Sequence, residues 1–243
     1  MDKFIHLLFW VRGFFFPESC ALCGKNLINV SEICYCLCQE CLSLIEEQFN
    51  ASQEEKKCNL CNKTLISEIE TCLLCRNGTL YSYDRLWTLF PYTGKFRTLL
   101  TAYKFGKKLA LANYFTEKVI NLIQETAELK EVCLIPVPPR PGKIKNTGWD
   151  QVDYLVRRIS KLSKGSIRVY RCLERRKSKI QKQLNRKDRL ENMKGRIFLN
   201  DIVPLTAIVI DDVITTGSTI EVCSSVLKDA GAQKVYGLCL FYD

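Results

Sequence analysis

The sequence predicts an α/β protein in which a parallel-sheet domain is preceded by a small cysteine-rich zinc-binding domain. Three observations carry this. Ten of the fourteen cysteines fall before residue 76, most of them in two-residue-spaced pairs. From Tyr81 onward, short apolar runs alternate with helical spacings, the pattern of strands alternating with helices around a parallel sheet. The 243 residues hold one α/β core plus an appendage, since domains take roughly 100–200 residues. The boundary is placed at residue 80, giving a double zinc-binding, knuckle-like module over 1–80 and the α/β domain over 81–243. Hydrophobic residues at 47% and charged residues at 26% exclude a disordered chain.

The apolar run from Lys3 to Phe16 resembles a signal peptide. However, His6 and Arg12 interrupt it, no small-residue cleavage site follows, and a cysteine pair begins at once. The run is also too short to cross a bilayer. It reads as an amphipathic helix packed on the protein, with a membrane or partner contact as the alternative. No transmembrane segment is expected. The chain is placed in the cytoplasm, with the inner face of the membrane as the alternative station.

The pair Cys20 and Cys23 is separated by fourteen residues from Cys38 and Cys41, and Cys58 and Cys61 by ten from Cys72 and Cys75. Each two-residue spacing lets one tight turn present two sulfurs to one ion, and two such turns complete a tetrahedron. The simplest assignment gives one zinc ion to Cys20, Cys23, Cys38 and Cys41 and a second to Cys58, Cys61, Cys72 and Cys75. Interleaved pairing stays open, as does Cys34 or Cys36 in place of Cys38. All-cysteine sites fill the coordination shell, so both ions are expected to be structural. Cys133, Cys172, Cys223 and Cys239 are isolated, and a thiol in an apolar run behaves as a small hydrophobe.

Residues 86–92 read as a strand, 95–123 as one or two helices broken near Gly106, and 132–137 as a buried strand. Residues 151–162 then have helical spacing, 202–210 read as a buried strand, 218–230 as a helix capped by Gly231, and 234–242 as a closing strand. The formal charge of +10 is unevenly placed: Arg140 to Arg196 holds nineteen Lys and Arg against five Asp and Glu, so the rest of the chain is net acidic. A local surplus of this size attracts phosphates.

The apolar strand ending at Ile210 runs into Asp211 and Asp212, then Val213, Ile214, Thr215, Thr216, Gly217, Ser218 and Thr219, where a helix begins. Free amides of Thr215 to Thr219 and the positive end of the helix suit an anion, and Gly217 permits close backbone approach. The two acids disfavour a bare phosphate. Their natural partners are the two hydroxyls of a ribose, met directly or through Mg²⁺.

The run Ile208 to Thr219 resembles the binding signature of type I phosphoribosyltransferases, in which the two acids meet the ribose and the following loop holds its 5′-phosphate. Other segments narrow the resemblance to the ComF competence family, whose members place a cysteine-rich zinc module before a phosphoribosyltransferase-like domain. These are Phe16-Pro17, Tyr92-Thr93-Gly94, Tyr103-Lys104-Phe105-Gly106, Pro136-Val137-Pro138, Gly148-Trp149-Asp150-Gln151 and Gln183 to Asn192. One departure is Asn146 to Gln151, where the family usually reads Arg-Gly-Phe-Asn-Gln, so an arginine is missing. The resemblance implies handling of single-stranded DNA, without sequence preference, during natural transformation, and binding of phosphoribosyl diphosphate with Mg²⁺.

The resemblance also implies that Arg140, in the turn Pro138-Pro139-Arg140, stands where similar transferases bind diphosphate. It tips Lys104 towards a phosphate contact. The basic stretch holding Arg175, Arg176 and Lys177 matches a lid over the diphosphate, and a stripe for a nucleic-acid backbone is its alternative. Two rivals stand. One is an active phosphoribosyltransferase of unknown acceptor, with Asp211 and Asp212 as catalytic acids. The other is an adaptor whose zinc module recruits a helicase or DNA-uptake channel.

Overall fold

A computed structural model describes residues 18–77, 81–129, 132–176 and 195–243. The expected N-terminal helix, Lys177 and the Gln183–Asn192 segment lie outside the described residues. In chain order the helices are α1 (Val30–Tyr35), α2 (Gln39–Glu54), α3 (Leu73–Arg76), α4 (Gly94–Lys104), α5 (Leu111–Glu125), α6 (Lys143–Thr147), α7 (Gln151–Leu162) and α8 (Ser218–Asp229). The strands are β1 (Arg85–Pro91), β2 (Cys133–Pro136), β3 (Leu173–Arg175), β4 (Ile197–Leu199), β5 (Thr206–Ile214) and β6 (Lys234–Tyr242). The chain divides into two compact units. One joins residues 18–54 to Tyr92–Phe115, and the other joins Glu55–Pro91 to Thr116–Asp243.

In the second unit, four strands lie in the order β1-β6-β5-β2, and every pair is parallel. Such strands are covered on both faces and so are apolar without alternation. Accordingly, Ala207 to Ile210 on β5 and Leu238 to Phe241 on β6 are fully buried. A further short pairing lies at the outer edge of β2, where Leu134 bridges Val169 in parallel. β3 and β4 form a separate antiparallel pair.

Helix α8 connects β5 to β6 and buries Ile220, Val222, Cys223 and Leu227. Full burial of each such aliphatic is worth about 1.5–3 kcal/mol. Gly237 on β6 permits this packing, because a Cβ there would come 2.5 Å from Leu86 Cδ1 and 3.0 Å from Ile220 Cγ2.

The strand expected over 202–210 is shifted: β5 starts at Thr206 and runs through both acids to Ile214. Ile202 is 81% exposed, and Pro204 lacks the N–H a central ladder requires. At the other end, β6 continues to Tyr242, and Val213 and Ile214 pair with Phe241 and Tyr242. The pairing thus carries the strand past the point where its sequence turns polar.

In the first unit, the cysteine turn at Cys20 is followed by α1, capped reciprocally by Asn29 and Glu32, and then by α2. The returning segment Tyr92–Phe115 packs within the same unit. Tyr103 meets Phe115 edge to face at 5.5 Å, and Tyr35 meets Tyr114 at 6.2 Å. Asn113 Nδ2 donates to Cys34 O at 2.7 Å, and Lys108 Nζ donates to Ser19 O at 3.3 Å. Sequence periodicity does not show α2, because its apolar positions are sparse and only Ile45 and Ser52 are buried.

Candidate functional site

The strand order places a topological switch point between β2 and β5. After β2 the chain leaves through α6 and α7 to the outer edge at Val169, whereas after β5 it leaves through α8 to β6 on the opposite side. Connections that part in this way open a crevice at the carboxyl ends of the two strands, where α/β proteins bind ligands. Val137 to Arg140 and Asp211 to Ser218 therefore flank one place, and Val137 N donates to Ile210 O at 2.9 Å.

Asp212 is 6% exposed and Asp211 half-buried. The Asp211 carboxylate accepts the Asp212 amide at 2.8 Å. Beyond the strand, Gly217 has φ +75°, the left-handed region, and serves as N-cap of α8. A β-branched residue is strained there. Thr216 Oγ1 and Ser218 Oγ lie 2.9 Å apart at the helix start, with Ser218 buried and Thr215 exposed. Glu221, in the first turn of α8, is engaged elsewhere: its carboxylate accepts from the Ser82 hydroxyl at 2.6 Å and amide at 2.9 Å.

Three further side chains approach from the β2 side. Asp150 caps α7 by accepting the amides of Val152 and Asp153 at 2.9 Å, as expected of an Asp before a helical run. Lys143 Nζ lies 2.6 Å from Asp150 Oδ2 and also donates to Gln151 Oε1. Gln151 Nε2 donates to Asp212 Oδ2 at 2.5 Å, joining α7 to β5 across 61 positions of sequence. The spacing of the motif does not show this contact, which the pairing of β2 with β5 creates.

Arg175, on β3, is half-buried. Burial first, and then the charge of Arg140, press its guanidinium below the ordinary value; Asp211 pulls the other way and Arg196 adds to the depression. Arg140, Arg175, Arg196 and Asp211 therefore share one electrostatic neighbourhood, to which Arg196 is an addition that the charge count alone does not single out. Arg176 is exposed, with its guanidinium 4.2 Å over the Phe198 ring. Lys104 closes α4 in the other unit, and Lys177 lies outside the described residues.

The cysteines form two clusters, Cys20, Cys23, Cys38 and Cys41, and Cys58, Cys61, Cys72 and Cys75, each with its sulfurs within 4.8 Å of one another. The Cys23–Cys38 and Cys61–Cys72 sulfur separations are both 3.7 Å. Two sulfurs bound tetrahedrally to one zinc ion stand about 3.8 Å apart. Burial, the largest influence, opposes a thiolate at Cys20, but the amides of Cys23, Cys38 and Leu22 outweigh it and bring the thiol down to about 7. Cys58 is likewise brought to about 7, by Cys61, Cys72 and Leu60. In the same clusters Cys41 and Cys75 are pushed far up, by burial and then by neighbouring sulfurs. Four thiolates so close need a cation, and each cluster could hold one metal ion.

No protein-family model matches the chain. It is 28% identical over 229 residues to competence protein ComFC of Streptococcus pneumoniae, covering 89% of this chain and 96% of that protein. It is 23% identical over 163 residues to competence protein F of Haemophilus influenzae, covering 63% of this chain and 71% of that protein. A stretch of 42 residues, 17% of this chain, is 49% identical to part of a ribose-phosphate pyrophosphokinase of Staphylococcus epidermidis, covering 13% of that enzyme. Similarity to competence proteins thus runs along most of the chain, and similarity to an enzyme named for ribose phosphate covers a short stretch of it. No described helix is long and apolar enough to cross a membrane.

Proposed function

We propose that this ComF-like chain acts in natural transformation, binding a ribose phosphate of the phosphoribosyl diphosphate class at the switch point and single-stranded DNA along its basic stretch. The observation that carries the first part is the pair Asp211 and Asp212, set at the end of β5 directly before a glycine-hydroxyl loop and the start of α8. The amides of Thr215 to Thr219 hold the 5′-phosphate, and the two acids accept the ribose hydroxyls. Mg²⁺ suits the same place, because carboxylates are hard oxygen donors; when bound with the ligand it neutralises diphosphate charge. Arg140 and Arg175 meet the diphosphate. The two cysteine clusters hold structural zinc, for which four thiolates at tetrahedral spacing are the fitting donor set.

The relatives' names support the competence role. The net-basic stretch from Arg140 to Arg196 supports backbone contacts with DNA, which carry no sequence information. Calorimetric titration of phosphoribosyl diphosphate with Mg²⁺ into the full chain tests the small-ligand reading. One site per chain is expected, lost when EDTA is in excess over Mg²⁺. Absence of binding with Mg²⁺ present overturns it.

A second reading, phosphoribosyl transfer, draws on the short similarity to an enzyme named for ribose phosphate. An acceptor would displace diphosphate from the anomeric carbon while Asp211 and Asp212 stabilise the developing positive charge on the ribose. Acceptor-dependent release of diphosphate distinguishes it from binding alone.

A further inference from the structure

We propose that Lys143 and Gln151 are positioning residues for Asp212: Lys143 fixes which way the Gln151 amide faces, and Gln151 fixes the orientation of the buried carboxylate. This rests on the ribose-phosphate reading of the site. An ammonium group has only donors, so the atom of Gln151 that faces Lys143 is the carbonyl oxygen. The amide nitrogen must then face the other way, where it meets Asp212 Oδ2 at 2.5 Å. An NH₂ group only donates and a carboxylate oxygen accepts, so this contact holds Asp212 Oδ2 in one place.

Lys143 is itself braced. Asp150 Oδ2 holds its ammonium at 2.6 Å, while Asp150 Oδ1 is spent on the first amides of α7. Gln151 and Asp212 are each 6% exposed, and a buried carboxylate is costly without hydrogen bonds. The connection after β2 thus supplies a side-chain donor to the strand that carries the acids. Reversal of the amide would set its oxygen against the carboxylate, and the lysine is the group that forbids it.

A purely structural cluster would alter stability alone, so the test reads ligand affinity and coupling. Binding of phosphoribosyl diphosphate with Mg²⁺ is measured by calorimetry on the full chain, with thermal midpoints alongside, for Lys143→Met, Lys143→Arg, Asp212→Asn and the Lys143→Met/Asp212→Asn double variant. Lys143→Met is expected to weaken binding about tenfold and Lys143→Arg to restore it to within about twofold. Lys143→Met should add less than about twofold in the Asp212→Asn background, because coupled neighbours are not additive. Additive losses, or full affinity in Lys143→Met, overturn the proposal.

Should Lys143→Met fail to fold, Gln151→Glu replaces it. A second carboxylate against Asp212 is expected to cost at least about tenfold in affinity, and an unchanged affinity overturns the assignment. The side-chain amide signals of Gln151 in ligand-free protein separate this idea from the reading it rests on. They should exchange slowly and shift in both Asp212→Asn and Lys143→Met, whether or not the small ligand binds. Amide signals unmoved by either change overturn the relay itself.

Discussion

The cysteine clusters and the switch-point site gather their chemistry in opposite ways. Each cluster is built by a short turn with its own hydrogen bonds. Cys20 N donates to Lys25 O, Gly24 N to Cys20 O and Leu27 N to Glu18 O; the same three bonds recur from Cys58 to Lys63, Asn62 to Cys58 and Leu65 to Lys56. Even the left-handed residue is repeated, as Gly24 at φ 75° and Asn62 at φ 58°, Asn being among the few side chains that tolerate it. The site after β5 instead draws on β2, α6, α7, β3, β5 and α8, and its bond from Gln151 to Asp212 spans 61 positions of sequence. Local turns that close on an ion determine folding, whereas a crevice between strand ends can lose its ligand and leave the sheet intact. The two regions should therefore respond to mutation independently.

The largest effect is expected at the second cluster, whose turn is built into the sheet. Leu60 O accepts the Leu86 amide at 2.9 Å, and Asn62 Nδ2 donates to Thr88 Oγ1 at 2.7 Å, both on β1. Cys72→Ser should cost at least about 3 kcal/mol, because an opened structural site forfeits its metal. That corresponds to a fall of roughly 6–12 °C in thermal midpoint. Metal analysis should show the loss of one zinc from an expected two per chain, and the molecules that remain folded should bind the small ligand normally. Weakened ligand binding at an unchanged midpoint would break the comparison.

Gly217→Val should do the reverse. A β-branched residue at φ +75° costs about 1–3 kcal/mol of local strain and blocks approach to the loop amides. Small-ligand affinity should fall on the order of a hundredfold, about the value of two charge-assisted bonds, with both metal ions retained. The smallest effect is expected for Arg175→Glu/Arg176→Glu. Single-stranded DNA should bind more weakly for every sequence alike, and the logarithmic salt slope should shrink by about 0.7 for each phosphate that is no longer neutralised. Sequence-selective weakening, or a wild-type affinity flat across salt, would refute backbone binding.

The legible parts of the sequence follow the same division. The two sets of four cysteines, the bounds of α7 and β6, and the sequence of the loop before α8 can be read directly, because spacing, capping and periodicity are local properties. The strand through Asp211 and Asp212 cannot, because β6 extends it by pairing. Nor can the hydrogen bond of Gln151 to Asp212, or the placing of Arg196 beside Arg175, since both depend on which strands become neighbours. The capping of α7 by Asp150 and its hold on Lys143 emerge only in the structure.

The central claim is that Asp211 and Asp212 serve a ribose phosphate and not DNA. It is tested most directly by measuring both ligands on Asp211→Ala/Asp212→Ala, using calorimetry for phosphoribosyl diphosphate with Mg²⁺ and fluorescence anisotropy for an oligonucleotide. With fold and zinc content unchanged, small-ligand affinity should fall by about a hundredfold or more, while DNA affinity stays the same or rises slightly as two negative charges are removed. Loss of both ligands together in a folded, zinc-loaded variant would contradict the account and make the loop the DNA site.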